Sequence, residues 1–326
     1  MLRRRDVLLG LLAAAPAALP ASAQARYPER PIRLVIPFPP GGVYDAIGRP
    51  WADRMKPLLG TVVVENQGGA GGSIGAAAVA RAAADGYTLL LGGGGSQIIN
   101  PIAATRPLYD PAKDFDAIAL IAITGLAIAV HPSVPVQSLQ DLIDYAKVNQ
   151  GKLSYGSAGV GSFNHLTGEL FKSLAGTPDI LHVPYKGAGP ALTDAVSGHI
   201  PVVVANITGQ VIELHRSGRL KILAVTTPAR LAALPDLPTA IEAGVAGMVA
   251  RNFLALFAPA GTPQAIIAQV GQATHTALAD AEFRQALTAS GFEPQPDMGA
   301  DETRRFVHEE LARWTPVIRT IGLKLD

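Results

Sequence analysis

Apolar residues along the chain fall into short continuous runs, closed by Gly- and Pro-rich turns and separated by segments of helical spacing. Ile32 to Phe38 is the first such run; it is broken by Pro37 and followed by Pro39-Pro40-Gly41-Gly42, which predicts a buried strand entering a tight loop. Asp45 to Leu58 then carries Ile47, Trp51 and Met55 at near-helical spacing, with Pro50 early enough to sit in the first turns. Thr61 to Glu65 predicts a second strand. Gly68-Gly69-Ala70-Gly71-Gly72 precedes an Ala-rich helix from about Ile74 to Ala84, Asp85-Gly86 ends it, and Tyr87 to Leu91 is a third strand. The pattern is β-α-β-α-β.

The same grammar returns in the second half. Leu153 to Tyr155 reads as a strand, Gly156 to Ser162 as a Gly-rich loop, Phe163 to Leu174 as a helix and Ile180 to Pro184 as the returning strand. Tyr185 to Gly189 then leads into a helix from Pro190 to Val196, with Pro tolerated at its start, and Ile200 to Ala205 is again a strand. The architecture repeats although the sequence does not, which predicts two similar open α/β sheets with ligand positions beyond the carboxyl ends of the strands. Ala117 to Val130 is apolar but interrupted at Thr124-Gly125, and it is read as two strands crossing between domains, with Leu220 to Val225 as the return crossing. Phe253 to Ala258 is a further strand, followed by helices around 264–279, 281–289 and 299–321. The expected division is a discontinuous first domain, 24–124 plus 226–326, and an inserted second domain, 125–225.

Residues 1–23 have a different pattern. Arg3-Arg4-Arg5 precedes a short apolar stretch and Ala21-Ser22-Ala23, the form of a cleavable signal peptide with cleavage after Ala23. Arg4-Arg5-Asp6-Val7-Leu8 partly matches the twin-arginine signal, so both the Tat and Sec routes stay open. The expected location is the periplasm.

Composition narrows the chemistry. The 326 residues contain no Cys, which removes disulfides, thiolate metal sites, Cys nucleophiles and a lipid-bearing Cys. A formal net charge of +1 without a basic run past the first residues argues against nucleic acid. The Gly-rich loops at 39–44 and 156–162 are the strongest signal, because a loop between a strand and a helix presents unpaired backbone N–H groups at the positive end of a helix dipole. Neither loop fits a dinucleotide fingerprint or a Walker loop, so no cofactor is expected. Ser157, Ser162 and Asn164 add side-chain donors to the second loop. His165 directly follows that loop and offers a further donor; paired with Glu169 it lacks a third metal ligand, and no metal is expected. His182 reads as a satisfied core residue, Asp45 as a charge in the first turn of its helix, and Glu65 as a partner of the neighbouring Gly-rich loop. Neither Ser157 nor Ser162 sits in a nucleophile elbow, and no enzyme is indicated.

Several ordered motifs go further. Tyr27-Pro28-x-Arg30-Pro31-Ile32, Pro37-Phe38-Pro39-Pro40-Gly41-Gly42-x-x-Asp45, Val63-Val64-Glu65-Asn66 with Gly69-Ala70-Gly71-Gly72, and Asp85-Gly86-Tyr87-Thr88-Leu89 stand in sequence. Tyr109-Asp110-Pro111-x-Lys113-Asp114-Phe115, Leu153-Ser154-Tyr155-Gly156-Ser157, Val183-Pro184-Tyr185-Lys186-Gly187 and Ala258-Pro259-Ala260-Gly261-Thr262-Pro263 follow. With these the chain closely resembles the Bug/TctC family, the periplasmic substrate-binding proteins of tripartite tricarboxylate transporters. The resemblance implies a two-domain periplasmic-binding-protein-like fold of type II kind, open sheets flanked by helices, closing on a small carboxylate. It also implies contacts from Phe38, Pro40, Gly41, Gly42, Val43, Tyr44 and Asp45 on one side, and from Ser157, Ala158, Gly159, Gly161, Ser162, Asn164 and His165 on the other. Ser96, Gln97, Lys186 and Asn206 are its candidates for the distal end of the ligand. Membrane transporter subunits are the implied partners of an expected monomer. The chain departs from the pattern at Val43-Tyr44, where relatives commonly have small or hydroxyl residues, at Ala205-Asn206, and in its bare run Gly92 to Gly95. An exported enzyme of similar architecture and a solute sensor are the competing readings.

Overall fold

The structure is a computed structural model that describes residues 27–325; the signal segment and its cleavage point lie outside the described residues. In chain order the first elements are β1 (Ile32–Ile36), α1 (Val43–Leu59), β2 (Val62–Asn66), α2 (Ser73–Ala80) and β3 (Thr88–Gly93). A wide helical turn over Gly94–Ile99 leads into the short α3 (Asn100–Ala103) and then β4 (Phe115–Val130). The second half contains α4 (Leu139–Val148), β5 (Ser154–Ser157), α5 (Phe163–Ala175), β6 (Leu181–Pro184), α6 (Ala188–Val196), β7 (Val202–Asn206), α7 (Gly209–Arg216) and β8 (Lys221–Val225). The chain ends with β9 (Arg251–Pro259), α8 (Gln264–Ala279), α9 (Ala281–Ala289), β10 (Phe292–Pro294) and α10 (Ala300–Thr320).

The strands follow the order β2-β1-β3-β9-β4-β7-β5-β6, with β8 and β10 also paired to β4. β1 is parallel to β2 and β3, and β5 is parallel to β6 and β7, as βαβ crossovers require. Both faces of the first sheet are covered, which explains its continuous apolar runs. Leu34 and Ile36 pack with Trp51 and Met55 of α1, whereas Val35 between them packs with Ala76 and Val79 of α2.

The Thr124-Gly125 interruption does not separate two strands. β4 is one strand of 16 residues that pairs with β9 as far as Gly125 and with β7 and β8 from Leu126 onward. The polar residue is a stitch: Thr124 Oγ1 donates to Ile207 O at 2.9 Å and Gly291 O at 3.1 Å, and Leu126 N donates to Thr226 Oγ1 at 2.9 Å. A Cβ on Gly125 would lie 2.5 Å from Thr227 Cγ2, so glycine permits the close approach of the returning chain. The expected return crossing at 220–225 is also different, because β8 stays beside the second half of β4 and the chain rejoins the first sheet only at Arg251. Between them, Leu231 and Leu234 pack with α6 and α7.

α3, α4, α7 and β10 carry no expectation from the sequence. α4 has a clear start signal, Ser138 accepting from Asp141 N at 3.1 Å while Asp141 accepts from Ser138 N at 3.0 Å. The three C-terminal helices match their expected spans within a residue.

Candidate functional site

β1 and β5 end side by side in function if not in sequence: each runs into a Gly-rich loop that opens a helix. At α1 the N-cap is Gly42, which has no side chain to cap with, and the first intrahelical bond is Ala46 N to Gly42 O at 3.0 Å. The N–H groups of Val43 and Tyr44 therefore have no partner within the helix. At α5, Ser162 Oγ accepts from His165 N at 3.2 Å, which leaves the first-turn N–H groups of Phe163 and Asn164 free of the helix and its cap. α6 begins at Ala188 after Gly187, again without a side-chain cap.

These three helix starts meet at one inner cavity of about 20 Å³. Gly42, Val43 and Tyr44 line it from α1, Ser162, Phe163 and Asn164 from α5, and Ala188 from α6; Phe38, Pro39, Ala158, Asn206 and Asn252 complete the wall. No Lys, Arg, His, Asp or Glu is among them. An outer cavity of about 660 Å³ shares Phe38, Pro39 and Ala158 and is bordered by Pro40, Gly159, Tyr185 and Lys186. A groove of about 440 Å³ between α8 and residues 295–300 is lined by none of the expected site residues.

Each loop is braced from behind. Asp45 Oδ2 accepts from Gly41 N at 2.9 Å, and Oδ1 accepts from Asn66 Nδ2 at 3.0 Å and lies 3.2 Å from Arg49. Burial alone would raise its pKa, but the Gly41 N–H, the Asn66 amide and Arg49 together hold the carboxylate below its ordinary range. Asn66 also donates to Phe38 O at 3.0 Å. Glu65 is not the loop's partner: it faces Arg33 at 3.5 Å with its side chain about half exposed, because alternate residues of β2 point to opposite sides.

The second loop is braced by imidazoles. His165 Nδ1 accepts from Gly161 N at 3.3 Å, and its ring stacks on His182 at 4.0 Å between centroids. His182 Nε2 pairs with Ser157 Oγ at 2.7 Å, and Ser157 Oγ accepts from Gly159 N at 3.1 Å. Burial lowers the pKa to about 4 for His165, offset in part by Glu169, and to about 3 for His182, whose neighbour His165 lowers it further. Both rings are neutral at ordinary pH. Ser157 is fully buried and its hydroxyl is turned into the loop, a geometry that fixes backbone and exposes no nucleophile.

The second loop also touches the 68–72 loop that precedes α2. A Cβ on Gly71 would lie 2.7 Å from Gly161 C and from Val160 O, and Gly71 adopts φ +62. Asn100 Nδ2 holds this glycine by donating to Gly71 O at 2.9 Å and to Gly95 O at 2.8 Å.

Comparison with known proteins identifies the arrangement. A family model described as the tripartite tricarboxylate transporter family receptor matches residues 47–323. The chain belongs to this family. The match begins inside α1, so it includes the second Gly-rich loop and stops short of the first, but full-length relatives span both. The protein BugT of Bordetella pertussis is 36% identical over 327 residues, covering 100% of this chain and 99% of its own. Among solved structures, the Rhodopseudomonas palustris protein Rpa4515 with adipate is 36% identical, with TM-score 0.87 over 91% of this chain and 99% of that one. The protein MatC with bound malate, from the same organism, is 32% identical, with TM-score 0.85 over 90% and 100%. The receptor thus has the two-domain α/β binding-protein fold, and its family places it in the periplasm as a solute-binding component of transport.

Of the residues expected at this receptor's site, the structure brings Phe38, Gly42, Val43, Tyr44, Ala158, Ser162, Asn164 and Asn206 to the inner cavity. Pro40, Gly159 and Lys186 border the outer one. Gly41, Asp45, Ser157, Gly161 and His165 form the braces described above. Ser96 and Gln97 lie in the Gly94–Ile99 turn outside both cavities; Ser96 Oγ accepts from Gly93 N at 3.2 Å, and the buried Gln97 amide has no hydrogen-bond partner among the described residues. Sequence reasoning missed Asn252, Ala188 and the bracing role of His182. Asn252 precedes the apolar run by one residue and was legible only as a strand edge, while the register of β5 on β6, Tyr155 opposite His182, is what sets His182 beneath the loop.

Proposed function

We propose that this receptor captures a small organic carboxylate between the starts of α1 and α5, holding the acid group on their backbone N–H groups; the inner cavity, with room for about one water, opens to admit it. The carrying observation is the convergence of helix starts, each with first-turn N–H groups that neither the helix nor a cap engages, on a cavity with no cationic side chain in its wall. A carboxylate matches such a site because helix N-termini supply both hydrogen-bond donors and positive potential. The adipate and malate bound by the two Rhodopseudomonas relatives support the same chemical class. Binding without chemical change is the reading favoured by the inward-turned Ser157 hydroxyl.

In this reading the two domains divide near residues 124 and 226, the protein is a monomer, and it delivers its ligand to membrane subunits of a tripartite tricarboxylate-type transporter. Export by a signal peptide cleaved after Ala23, through Tat or Sec, is part of the proposal. Native mass spectrometry of freshly purified protein, followed by calorimetry with mono-, di- and tricarboxylates of two to eight carbons, is the test. A carboxylate that binds and is recovered unchanged is expected. Binding confined to neutral or cationic solutes would overturn the proposal.

A further inference from the structure

Tyr44 occupies the second position of α1 and is 4% exposed, with its ring stacked on Phe38 at 4.7 Å and 13° between planes. The bare run after β3 makes room for it: a Cβ on Gly93 would lie 2.5 Å from the Tyr44 hydroxyl. The same run admits Phe163, which a Cβ on Gly94 would strike. The Tyr44 hydroxyl is buried yet makes no hydrogen bond among the described residues. Asn252 and the Gly95 backbone lie near enough to influence the phenol, but neither reaches hydrogen-bond geometry; burial dominates and keeps the hydroxyl protonated. A buried, unpaired hydroxyl is unfavourable and calls for a partner.

Beside it runs a ladder of three amides, each more than nine-tenths buried. Asn252 Nδ2 donates to Asn206 Oδ1 at 3.1 Å, Asn206 Nδ2 donates to Asn164 Oδ1 at 3.1 Å, and Asn164 Nδ2 donates to Val204 O at 2.9 Å. Asn252 Oδ1 accepts from Gly94 N at 3.0 Å. The ladder fixes all three amide orientations and uses one hydrogen of each NH₂, so a second N–H remains on each. Tyr44 and the three Asn side chains line the same inner cavity.

We infer that the Tyr44 hydroxyl and the amide ladder form a neutral donor subsite for an uncharged oxygen at the far end of the ligand, so that the preferred ligand is a singly charged carboxylate bearing a hydroxyl, keto or carboxamide oxygen. The inference rests on the carboxylate reading above and names the rest of the molecule. A second carboxylate placed here would repel the first and lose its hydration, since the helix starts are already engaged by the acid group and the wall carries no cation. A methyl group would leave the buried donors unpaired.

The experiment is calorimetry on ligand-stripped protein with matched series of three to six carbons whose far end is carboxylate, carboxamide, hydroxyl or methyl; the four-carbon set is succinate, succinamate, 4-hydroxybutyrate and butyrate. At the best chain length the carboxamide or hydroxyl member should bind at least tenfold more tightly than the dicarboxylate and the methyl member. Tyr44→Phe, which keeps the ring and its stacking, should reduce that preference about tenfold while leaving the methyl member's affinity unchanged. Thermal melting of the unliganded variant checks that it folds. A dicarboxylate that binds tightest, or a Tyr44→Phe variant that weakens all four members equally, would overturn the inference while the carboxylate reading stands. If no acid of any length binds, the carboxylate reading itself fails and carries this inference with it.

Discussion

The loop before α1 is held in shape by a charge, whereas the loop before α5 is held by two neutral rings. In the first, the Asp45 carboxylate gathers the Gly41 N–H, the Asn66 amide and Arg49. In the second, His165 takes the Gly161 N–H and His182 takes the Ser157 hydroxyl, with no ion in the loop. Both devices lie behind the loop and leave first-turn N–H groups for the cavity. The difference shows that unlike side chains can support the same backbone geometry, which is the element proposed to bind the anion.

The largest expected effect comes from removing a support and its backbone together. Gly161 adopts φ +77 and its N–H is the donor to His165, so Gly161→Pro both forbids the conformation and deletes the bond. Calorimetry should show carboxylate affinity falling by about two orders of magnitude, as expected when two or more charge-assisted bonds are misplaced. Unchanged affinity would mean that the second loop does not hold the anion.

Gly71→Val attacks the contact between the second loop and the 68–72 loop before α2 without touching either support. Its side chain would collide with the Gly161 backbone, so the variant should keep an open shape in small-angle scattering at saturating ligand and bind about tenfold more weakly. A variant that closes normally would show that the 68–72 loop and the second loop need not meet.

These features differed in how far the sequence exposed them. The loops at 39–44 and 156–162 were legible because Gly and Pro punctuate apolar runs, and residues of both line the inner cavity. The continuity of β4 was hidden, since a Thr-Gly pair lowers hydrophobicity without ending a strand whose hydroxyl finds carbonyl partners. The amide ladder was only partly visible: Asn164 and Asn206 stood next to recognised elements, but Asn252 joins them through a side-chain hydrogen bond that spans 46 residues. Side-chain supports of this kind depend on tertiary register, which periodicity does not encode.

The supports should also separate by pH. For His165 and His182 the folded pKa values, about 4 and about 3, lie below the ordinary value of 6.5. Between those limits the unfolded chain binds more protons than the folded one, so stability is complete above about pH 6.5 and declines as pH falls toward 4. The Asp45 contribution has the other window: its lowered pKa preserves it until the pH drops below the ordinary carboxylate range. Melting temperature should therefore fall already between pH 6.5 and 4, and His182→Gln should make that decline shallower. An identical slope in the variant would remove the imidazole pair from the account.

The smallest effect is expected at Lys186, which borders the outer cavity and lies outside the inner one. Lys186→Ala should weaken binding by no more than about threefold, the scale of a solvent-exposed charge interaction. A loss as large as that of Gly161→Pro would move the anion site to the outer cavity.

The most direct test is a crystal structure of the receptor with the acid that calorimetry identifies. The carboxylate oxygens should lie within about 3 Å of first-turn N–H groups of both α1 and α5, directly or through one bridging water, with no cationic side chain in contact. A carboxylate paired with Lys186 in the outer cavity, with both helix starts unengaged, would contradict the account.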